Sequence, residues 1–425
     1  MTASAYATEH LLLLVLGQLI VMIGVAALGN AAARRLGQPG AVGEILAGLA
    51  LGPSLFGHVF PTASAALFDP VAITAITAIS QLGLLLLMFQ VGTEFEFSRL
   101  RLPQERGAVL RVALASILVP LALGCGFGFA SAGTLAPGAR VVPYSLFCGV
   151  AVAITAVPIL GRILREYGLT RNRVGLIAIS AAAINDIVGW MLLACITAFT
   201  MQQLSAAFLL WRAAALVGGG LLLWFVLRPM VPRVLAYFPV RAGALPPGLL
   251  ACVLCLVMML GCASNMIGIF TIFGGFVGGL LFHRHEAFVA AWQTMVGRFV
   301  LVFFLPVFFT FTGLRTNLLG LTMADMPWLA LILAISIGGK VIPVFVAGRA
   351  SGFDGWQAAT LGVLMNTRAL MELIVLNVGY DLGVLPKRVF TMLVIMAVVT
   401  TIMTGPLLQV LLRRIGYAKI VRVAA

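Results

Sequence analysis

Long apolar runs, separated by short breaks of polar residues, glycine or proline, follow one another along almost the whole chain. Most runs are about 20 residues long, which is the length of helix that crosses a bilayer. The alternating pattern of a transmembrane β-barrel is absent from the sequence. The sequence therefore predicts an all-α polytopic membrane protein with about 13 transmembrane helices, or twelve if the weak break at Ser264-Asn265 is not a boundary. The predicted spans are residues 10–33, 41–56, 74–96, 107–131, 143–164, 173–200, 206–232, 246–263, 266–283, 290–313, 327–348, 356–379 and 388–412.

The composition of the chain also indicates a membrane protein. Hydrophobic residues make up 62% of the 425 residues and charged residues only 9%, whereas a soluble domain carries about 25% charged residues. These values exclude a soluble enzyme, a disordered chain and a collagen-like fibre. The net charge of +14 is not gathered into a basic patch with aromatic residues, so we expect no nucleic-acid partner.

Lysine and arginine are distributed unequally between alternate loops. One set of loops holds 18 of these residues and the opposite set holds four. Because cytoplasmic loops are enriched in Lys and Arg, this asymmetry predicts an outside N-terminus and a cytoplasmic C-terminus. We expect a multi-pass protein of a bacterial inner or plasma membrane. The six cysteines lie inside or next to apolar segments and have no histidine at ligand spacing, so we expect no cofactor.

Two parts of the sequence are similar to each other. Residues 42–57 and 270–285 each carry small residues with glycine at helical spacing, and a long apolar helix follows each segment. These two following helices end in an aromatic-then-glycine pattern at Gly92 and Gly313. The similarity relates spans 1–6 to spans 8–13. Because the offset of seven spans is odd, the two halves cross the membrane in opposite orientations. Inverted repeats are typical of secondary transporters, although glycine-rich membrane helices also resemble one another by chance.

The repeat makes spans 5 and 12 equivalent, and both carry a signal for interruption. Span 5 contains Thr155 and Pro158 in the middle of its apolar run, and span 12 contains the triplet Asn366-Thr367-Arg368. A proline within a span frees a backbone carbonyl, and a polar triplet at bilayer depth must face a polar cavity. Pro158 alone would suggest an ordinary helix kink. The matching positions predict two discontinuous helices around an ion site near the bilayer midplane.

A few ionisable residues fall inside the predicted spans, where a charge is costly and is by default a functional hypothesis. Each could instead belong to a buried ion pair that only holds helices together. That alternative is weakest for the residue in span 6, which has no charged neighbour in sequence. The residues are Asp186 in span 6, Lys340 in span 11, Arg368 and Glu372 one turn apart in span 12, and Glu44 early in span 2.

Asp186 is the candidate for binding a metal ion, Na⁺ or K⁺. A buried carboxylate can hold a proton or a small hard cation, but does not easily hold both. Asn185, Thr155 and the carbonyls freed near Pro158 would complete a set of oxygen ligands suited to an alkali ion. Competition between H⁺ and the cation for one carboxylate is the minimal machinery of an antiporter. The sequence has no GxxxxGK[ST] phosphate loop, so we expect no dependence on ATP.

Seven stretches together carry a resemblance that none of them would carry alone. They are GQPGAVGEILAGLALGPSLFG (37–57), QLGLLLLMFQVGTEFEF (81–97), AITAVPILGRIL (153–164), AAAINDIVGW (181–190), FTGLRTNL (311–318), GGKVIPVFVAGR (338–349) and LMNTRALMELIVLNVG (364–379). Through them the chain resembles the monovalent cation:proton antiporter-2 family over nearly its whole length. The last stretch is especially similar to the plant cation/H⁺ exchanger branch.

The resemblance implies the Na⁺/H⁺ antiporter fold, with two inverted repeats and crossed discontinuous helices. It assigns residues 107–200 and 327–412 to an ion-transport core. It assigns residues 10–96 and 246–313 to a scaffold that forms a homodimer, and residues 206–240 to a linker helix. Membrane lipids would surround these helices. Potassium-efflux relatives often carry a nucleotide-binding domain after the last helix, and we expect none in this chain.

The same resemblance implies roles for individual residues. The family's ion-binding aspartate falls on Asp186 and its core lysine on Lys340. Its broken-helix positions fall on Thr155, Pro158 and Asn366 to Arg368. Electrogenic members carry Asp-Asp where this chain has Asn185-Asp186, and an asparagine cannot carry a proton. We therefore expect electroneutral exchange of one H⁺ per cation, unless Lys340 itself titrates.

Other functions remain as alternatives. A Na⁺-coupled symporter of an organic anion could share an inverted-repeat fold, but it would need a larger polar cavity and a second cation site. A non-transporting receptor or channel subunit would tolerate the loss of the Asp186 carboxylate. A membrane enzyme is least expected, since the sequence has no HExxH or GxSxG motif.

Overall fold

The structure, a computed structural model, is helical almost throughout. Eleven helices in the described part of the chain are long and apolar enough to cross a membrane. Two shorter apolar helices, Val141–Ala153 and Thr271–Phe282, lie where the sequence predicts further spans. The all-helical, multi-pass fold is confirmed, and the count of 13 stays a prediction. Residues 201–213, which include the first residues of predicted span 7 (206–232), lie outside the described residues. The structure describes residues 3–94, 105–169, 172–200, 214–215, 218–240, 243–267, 270–368 and 370–414.

The helices range from one turn to 33 residues. Short π-helical segments at Leu223–Leu227, Gln293–Gly297 and Val300–Phe304 and 3₁₀ turns at Leu318–Gly320 and Met323–Asp325 accompany them. The α-helices are α1 (Ala3–Arg35), α2 (Gly40–Leu51), α3 (Phe56–Val59), α4 (Pro61–Leu67), α5 (Pro70–Thr93), α6 (Arg106–Leu135), α7 (Val141–Ala153), α8 (Val157–Glu166), α9 (Arg173–Thr200), α10 (Arg228–Tyr237), α11 (Pro247–Met266), α12 (Thr271–Phe282), α13 (Glu286–Trp292), α14 (Leu305–Arg315), α15 (Met326–Arg349), α16 (Gly355–Met365), α17 (Leu370–Asp381) and α18 (Lys387–Arg414).

The chain divides into two compact units. The first comprises Met1–Ile23, Leu67–Glu96 and Thr197–Phe311. Within it, α5 and α12 approach closely where Gly92 faces Gly279, and a Cβ atom on either glycine would collide with the backbone of the other helix. Small residues permit such close packing of helices in a bilayer, where apolar burial alone does not draw helices together.

The second unit comprises Gly24–Ala66, Phe97–Ile196 and Thr312–Ala425. It contains every residue that the sequence proposes for the ion site. Within it, α6 packs against α7, and a Cβ atom on Gly124 would lie 2.8 Å from the Cα atom of Gly149. Helix α15 packs against both α6 and α16. These helices surround the two interruptions that the sequence predicts.

The inverted repeat is visible in an equivalent pair of helix contacts. In the first unit Gly92 of α5 meets Gly279 of α12, and in the second unit Gly48 of α2 meets Gly313 of α14. An offset of seven spans relates one contact to the other. The sequence pairs Gly48 with Gly278, but the contact falls one residue later. The reason is that Gly278 faces side chains of Leu260 and Phe89, since neighbouring residues point about 100° apart on a helix.

Candidate functional site

The first interruption separates α7 from α8. Residues 154–156 are not helical, and all three are buried. The sequence places the break at Pro158, but α8 has already begun at Val157, so Pro158 lies in its first turn. Proline is tolerated at that position because the first amides of a helix have no intrahelical acceptor. The break therefore precedes Pro158 and includes Thr155.

The second interruption separates α16 from α17. Asn366 follows the last residue of α16 in a turn, and Thr367 and Arg368 continue in non-helical conformation. The two interruptions touch each other: the Ala156 amide donates to the Thr367 carbonyl at 3.2 Å. The discontinuous, crossed helices are thereby confirmed. Backbone groups left without partners at bilayer depth are costly, and this contact satisfies one from each break.

Thr155 also joins the two breaks. Its hydroxyl donates to the Met365 carbonyl of α16 at 3.0 Å. The same hydroxyl accepts from the Asn185 side-chain amide of α9 at 3.2 Å. Asn185 contacts Ser116 of α6 as well, through its Nδ2 atom at 2.9 Å and its Oδ1 atom at 3.2 Å. The polar atoms of Thr155 and Asn185 are thus engaged with protein partners, and they tie α6 and α9 to the crossing.

Asp186 is 1% exposed and faces the start of α8. The Val157 backbone amide, the first of that helix, hydrogen-bonds to the Asp186 carboxylate. A helix N-terminus carries a partial positive charge and unpaired amides, and it therefore favours an anion. The Oδ1 atom of Asp186 has no hydrogen-bond partner among the described residues. One carboxylate oxygen is therefore available to a ligand.

Two buried cationic side chains lie at the other side of the first break, where α7 ends. Lys340 of α15 is fully buried, and its ammonium donates to the Ala153 carbonyl. Arg368 is also fully buried, and its guanidinium donates to the Ala151 carbonyl at 2.9 Å and the Ser336 carbonyl at 3.1 Å. The last carbonyls of a helix have no intrahelical donor and carry partial negative charge. Lys340 and Arg368 therefore stabilise the end of α7 in the apolar interior.

Glu372 accompanies Arg368 but makes a looser contact. Its Oε2 atom lies 3.9 Å from Arg368 Nη1, and both side chains are fully buried. The sequence expects the pair on one helix face, yet Arg368 precedes the first turn of α17 and reaches toward α7 and α15. Lys340 interacts electrostatically with Asp186, Arg368 and Glu372. Two cationic and two acidic side chains therefore share this buried region, and their formal charges cancel.

Two side-chain oxygens at the second break have no hydrogen-bond partner among the residues that the structure describes. In the described part of the chain, Asn366 Oδ1 and Thr367 Oγ1 are buried and unpaired, as is Asp186 Oδ1. Carbonyl, hydroxyl and carboxylate oxygens are the ligands that hard cations take in proteins. Unpaired buried oxygens are uncommon in proteins and call for an explanation. A cation at the crossing would provide one.

Glu44, a secondary candidate from the sequence, has a different setting. It is buried in α2 and accepts a hydrogen bond from Asn30 of α1, so it links the first two helices. Conversely, the sequence does not single out Ser116 or Ser336. Both are buried serines in apolar helices, and a hydroxyl at bilayer depth is the only sequence signal that they offer.

Comparison with known proteins identifies the family. The family model described as sodium/hydrogen exchanger, transmembrane, matches residues 20–414. The chain belongs to the sodium/hydrogen exchanger family. This membership confirms the resemblance to cation:proton antiporters that the sequence motifs indicate.

Named relatives of this exchanger-family chain come from bacteria, plants and yeast. The Na⁺/H⁺ antiporter NhaS4 of Synechocystis is 36% identical over 405 residues, covering 93% of this chain and 96% of that protein. Cation/H⁺ antiporter 17 of Arabidopsis thaliana is 36% identical over 401 residues, covering 94% and 48%. K⁺/H⁺ antiporter 1 of Saccharomyces cerevisiae is 28% identical over 380 residues, covering 88% and 43%. The chain thus spans nearly all of NhaS4 and about half the length of the plant and yeast relatives.

A solved structure supports the fold. The sodium proton antiporter MjNhaP1 from Methanocaldococcus jannaschii matches with a TM-score of 0.67 at 18% identity, covering 97% of this chain and 99% of that one. The protein therefore has the fold of that antiporter.

Proposed function

We propose that this exchanger-family protein exchanges one Na⁺ or K⁺ for one H⁺ by alternating access, with Asp186 as the shared binding residue. The main support is the Asp186 carboxylate, which is buried beside two interrupted helices and keeps one oxygen without a protein partner. The names of two relatives, a Na⁺/H⁺ antiporter and a K⁺/H⁺ antiporter, support the same class of reaction. Neither name selects Na⁺ over K⁺ for this chain.

The hydrogen bonds suggest how the predicted site residues divide the work. Thr155 and Asn185 are engaged with Met365, Ser116 and each other, so we assign them the role of positioning the crossing. The unpaired oxygens of Asp186, Asn366 and Thr367 are the better candidates for cation ligands. Pro158 and Arg368 then serve to hold the half-helices in place, the former at the start of α8 and the latter at the end of α7.

The balance of buried charge favours an electroneutral cycle. With both acids ionised and both cations protonated, Asp186, Lys340, Arg368 and Glu372 sum to zero. Binding of either a proton or a monovalent cation to Asp186 then raises the net charge of the four-residue site to +1. The membrane potential consequently acts equally on both loaded forms. If Lys340 released a proton when the cation bound, the two loaded forms would differ in charge and exchange would be electrogenic.

Alternating access requires parts of the protein to move while Asp186 changes its exposure. We propose that residues 107–200 and 327–412 form the moving core in an elevator-like motion. Residues 10–96 and 246–313 would form the scaffold of a homodimer, and residues 206–240 would connect the two. The N-terminus would lie outside and the C-terminus in the cytoplasm, with the arginine-rich loops inside.

The direct test is transport by purified protein in liposomes that contain a trapped pH dye. Addition of Na⁺ or K⁺ should dissipate an imposed proton gradient, and Asp186→Asn should abolish that response. Asp69→Asn is the matched control, since Asp69 caps α5 at its N-terminus and asparagine caps a helix equally well. Flux retained in Asp186→Asn, at wild-type rates, would reject this site.

The stoichiometry needs its own measurement. The same liposomes can be held at zero potential or at an imposed potential with a K⁺ ionophore, with Na⁺ as the transported cation. One-for-one exchange should run at the same initial rate in both conditions. Acceleration by the potential would rule out electroneutral exchange, while leaving antiport through Asp186 intact. Lys340→Ala should mainly shift the pH dependence of flux or the stability of the protein.

A further inference from the structure

An apolar groove lies on the surface of the second unit, between the C-terminal half of α1, the helix α2 and the helix α18. Its volume is about 660 Å³, within the range of about 300–1,000 Å³ that small-molecule sites occupy. Among the lining residues that the structure describes, Gln38 alone has a polar side chain. Its walls include Leu28 and Ala32 of α1, Leu36 in the turn after α1, Leu46 and Ala50 of α2, and Ile402 of α18.

The groove has the length of one leaflet of a bilayer. Along α1 and the first residue of the turn after it, the lining runs from Val25 to Leu36, which at a helical rise of about 1.5 Å per residue is about 16 Å. The hydrocarbon core of a bilayer is about 30 Å thick, so one leaflet contributes about 15 Å. The groove therefore matches an acyl chain that enters from one membrane face and ends near the midplane.

Positive charge is concentrated at one end of the groove. Arg34 and Arg35 form the last turn of α1 and are both exposed, directly beside lining residues Ala33 and Leu36. Among the residues that the structure describes, neither arginine forms an ion pair with an acidic side chain. The charge asymmetry of the loops predicts that this face of the membrane is cytoplasmic.

The end of α18 adds to that charge. A Cβ atom on Gly37, in the turn after α1, would lie 3.3 Å from the side-chain amide of Gln409. Arg413 and Arg414 follow Gln409 by about one helical turn and are exposed. Arg34 and Arg35 therefore lie beside the mouth of the groove, and two further arginines end the neighbouring helix α18. Basic residues beside grooves between transmembrane helices attract the headgroups of anionic lipids.

We propose that this groove binds one phospholipid with an anionic headgroup, its acyl chain along α1 and α2 and its phosphate against Arg34 and Arg35. The combination of leaflet length, apolar walls and arginines at one mouth fits such a lipid. A second copy of this chain is a poorer candidate, because contact between two copies gives no reason for a cluster of like charges at the mouth of the groove. A zwitterionic lipid would gain little from the arginines. The proposal concerns lipid binding alone and is independent of antiport.

Native mass spectrometry of the full-length protein, released from detergent, can measure lipid occupancy without a transport assay. The probes are phosphatidylglycerol and phosphatidylcholine with identical acyl chains. Phosphatidylglycerol should bind more tightly, and the double variant Arg34→Gln/Arg35→Gln should weaken its binding about 30-fold, given about 1 kcal/mol for each basic residue near a membrane surface. The double variant Arg106→Gln/Arg284→Gln removes the same charge elsewhere and should bind as the wild type does.

A second variant tests the groove itself. Ala32 lines the groove yet is exposed, so Ala32→Trp should fill it without disturbing helix packing and should remove the tightly bound lipid. Ala27→Trp is the matched control, because Ala27 is also exposed on α1 but does not line the groove. Equal binding of the two lipids, or wild-type lipid occupancy in Ala32→Trp, would overturn the proposal. The proposal would also be overturned if Ala32→Trp dissociated a dimer and left the lipid occupancy unchanged.

Discussion

Thr155 offers the sharpest structural perturbation, because its hydroxyl links three helical segments through two hydrogen bonds. The change Thr155→Val replaces that hydroxyl with a methyl group and leaves the volume of the side chain almost unchanged. It removes the donor to Met365 and the acceptor for Asn185. Any effect therefore reports the loss of two hydrogen bonds and not a cavity in the packing.

The expected magnitude follows from the number and setting of those bonds. Hydrogen bonds between transmembrane helices average about 0.6 kcal/mol and reach about 1.7 kcal/mol. Two of them give a destabilisation of about 1–3 kcal/mol. Asn185 keeps its contacts with Ser116, so the Met365 carbonyl bears most of the loss. Because that carbonyl belongs to the second break, we also expect slower cation flux.

Thermal unfolding in detergent and flux in liposomes measure the two effects. Thr155→Ser, which keeps a hydroxyl, should retain most of the stability and flux. Thr404→Val is a second control, since the Thr404 hydroxyl is buried and, among the residues that the structure describes, donates to the Thr400 carbonyl of its own helix and to no other helix. Wild-type melting and transport in Thr155→Val would show that the hydrogen bonds of Thr155 neither stabilise the crossing nor support flux. Equal impairment of Thr404→Val would show that the effect is not specific to the link between the two breaks.

Three further predictions concern the same site. Arg368→Met should destabilise the protein by about 3–5 kcal/mol, because it leaves the Glu372 carboxylate unpaired in the interior. Glu372→Gln should destabilise it less, because Arg368 keeps its bonds to two carbonyls. Thermal unfolding of both variants tests this order, and a larger loss of stability in Glu372→Gln would contradict it. Asn185→Asp adds a second acid beside Asp186, so an imposed membrane potential should accelerate its flux, and a rate insensitive to potential would contradict this prediction. Because H⁺ competes with the cation for Asp186, the apparent KM for Na⁺ or K⁺ should depend on pH. It should fall about tenfold for each unit of rising pH while the Asp186 carboxyl group is mostly protonated, and then level off. A KM that is independent of pH from 5 to 9 would exclude competition.

The sequence predicts the helical spans and both interruptions well, because these depend on local signals. Apolar runs of membrane length mark the spans. The triplet from Asn366 to Arg368 marks the second break, since polar residues at bilayer depth are rare. Pro158 marks the first break only approximately, because proline suits the first turn of a helix as well as an interruption. The break therefore falls just before it, at residues 154–156.

The partners of the site residues could not be predicted from the sequence, because they depend on how distant helices cross. Lys340 and Arg368 bond to carbonyls of α7, and backbone carbonyls have no signature in a sequence. Ser116 is one of many small residues in α6, and only the position of α9 gives it Asn185 as a partner. Likewise, the i, i+4 spacing of Arg368 and Glu372 suggests a simple helical pair, whereas the break lets Arg368 reach two other helices.

The most direct test of the central claim, that a proton and a cation compete for Asp186, is the release of protons on cation binding. Purified protein in a lightly buffered solution with a pH dye can be titrated with Na⁺ or K⁺ at a pH where the carboxyl group is protonated. We predict about one proton released per cation bound, and no release from Asp186→Asn. Undiminished release from Asp186→Asn would contradict the claim.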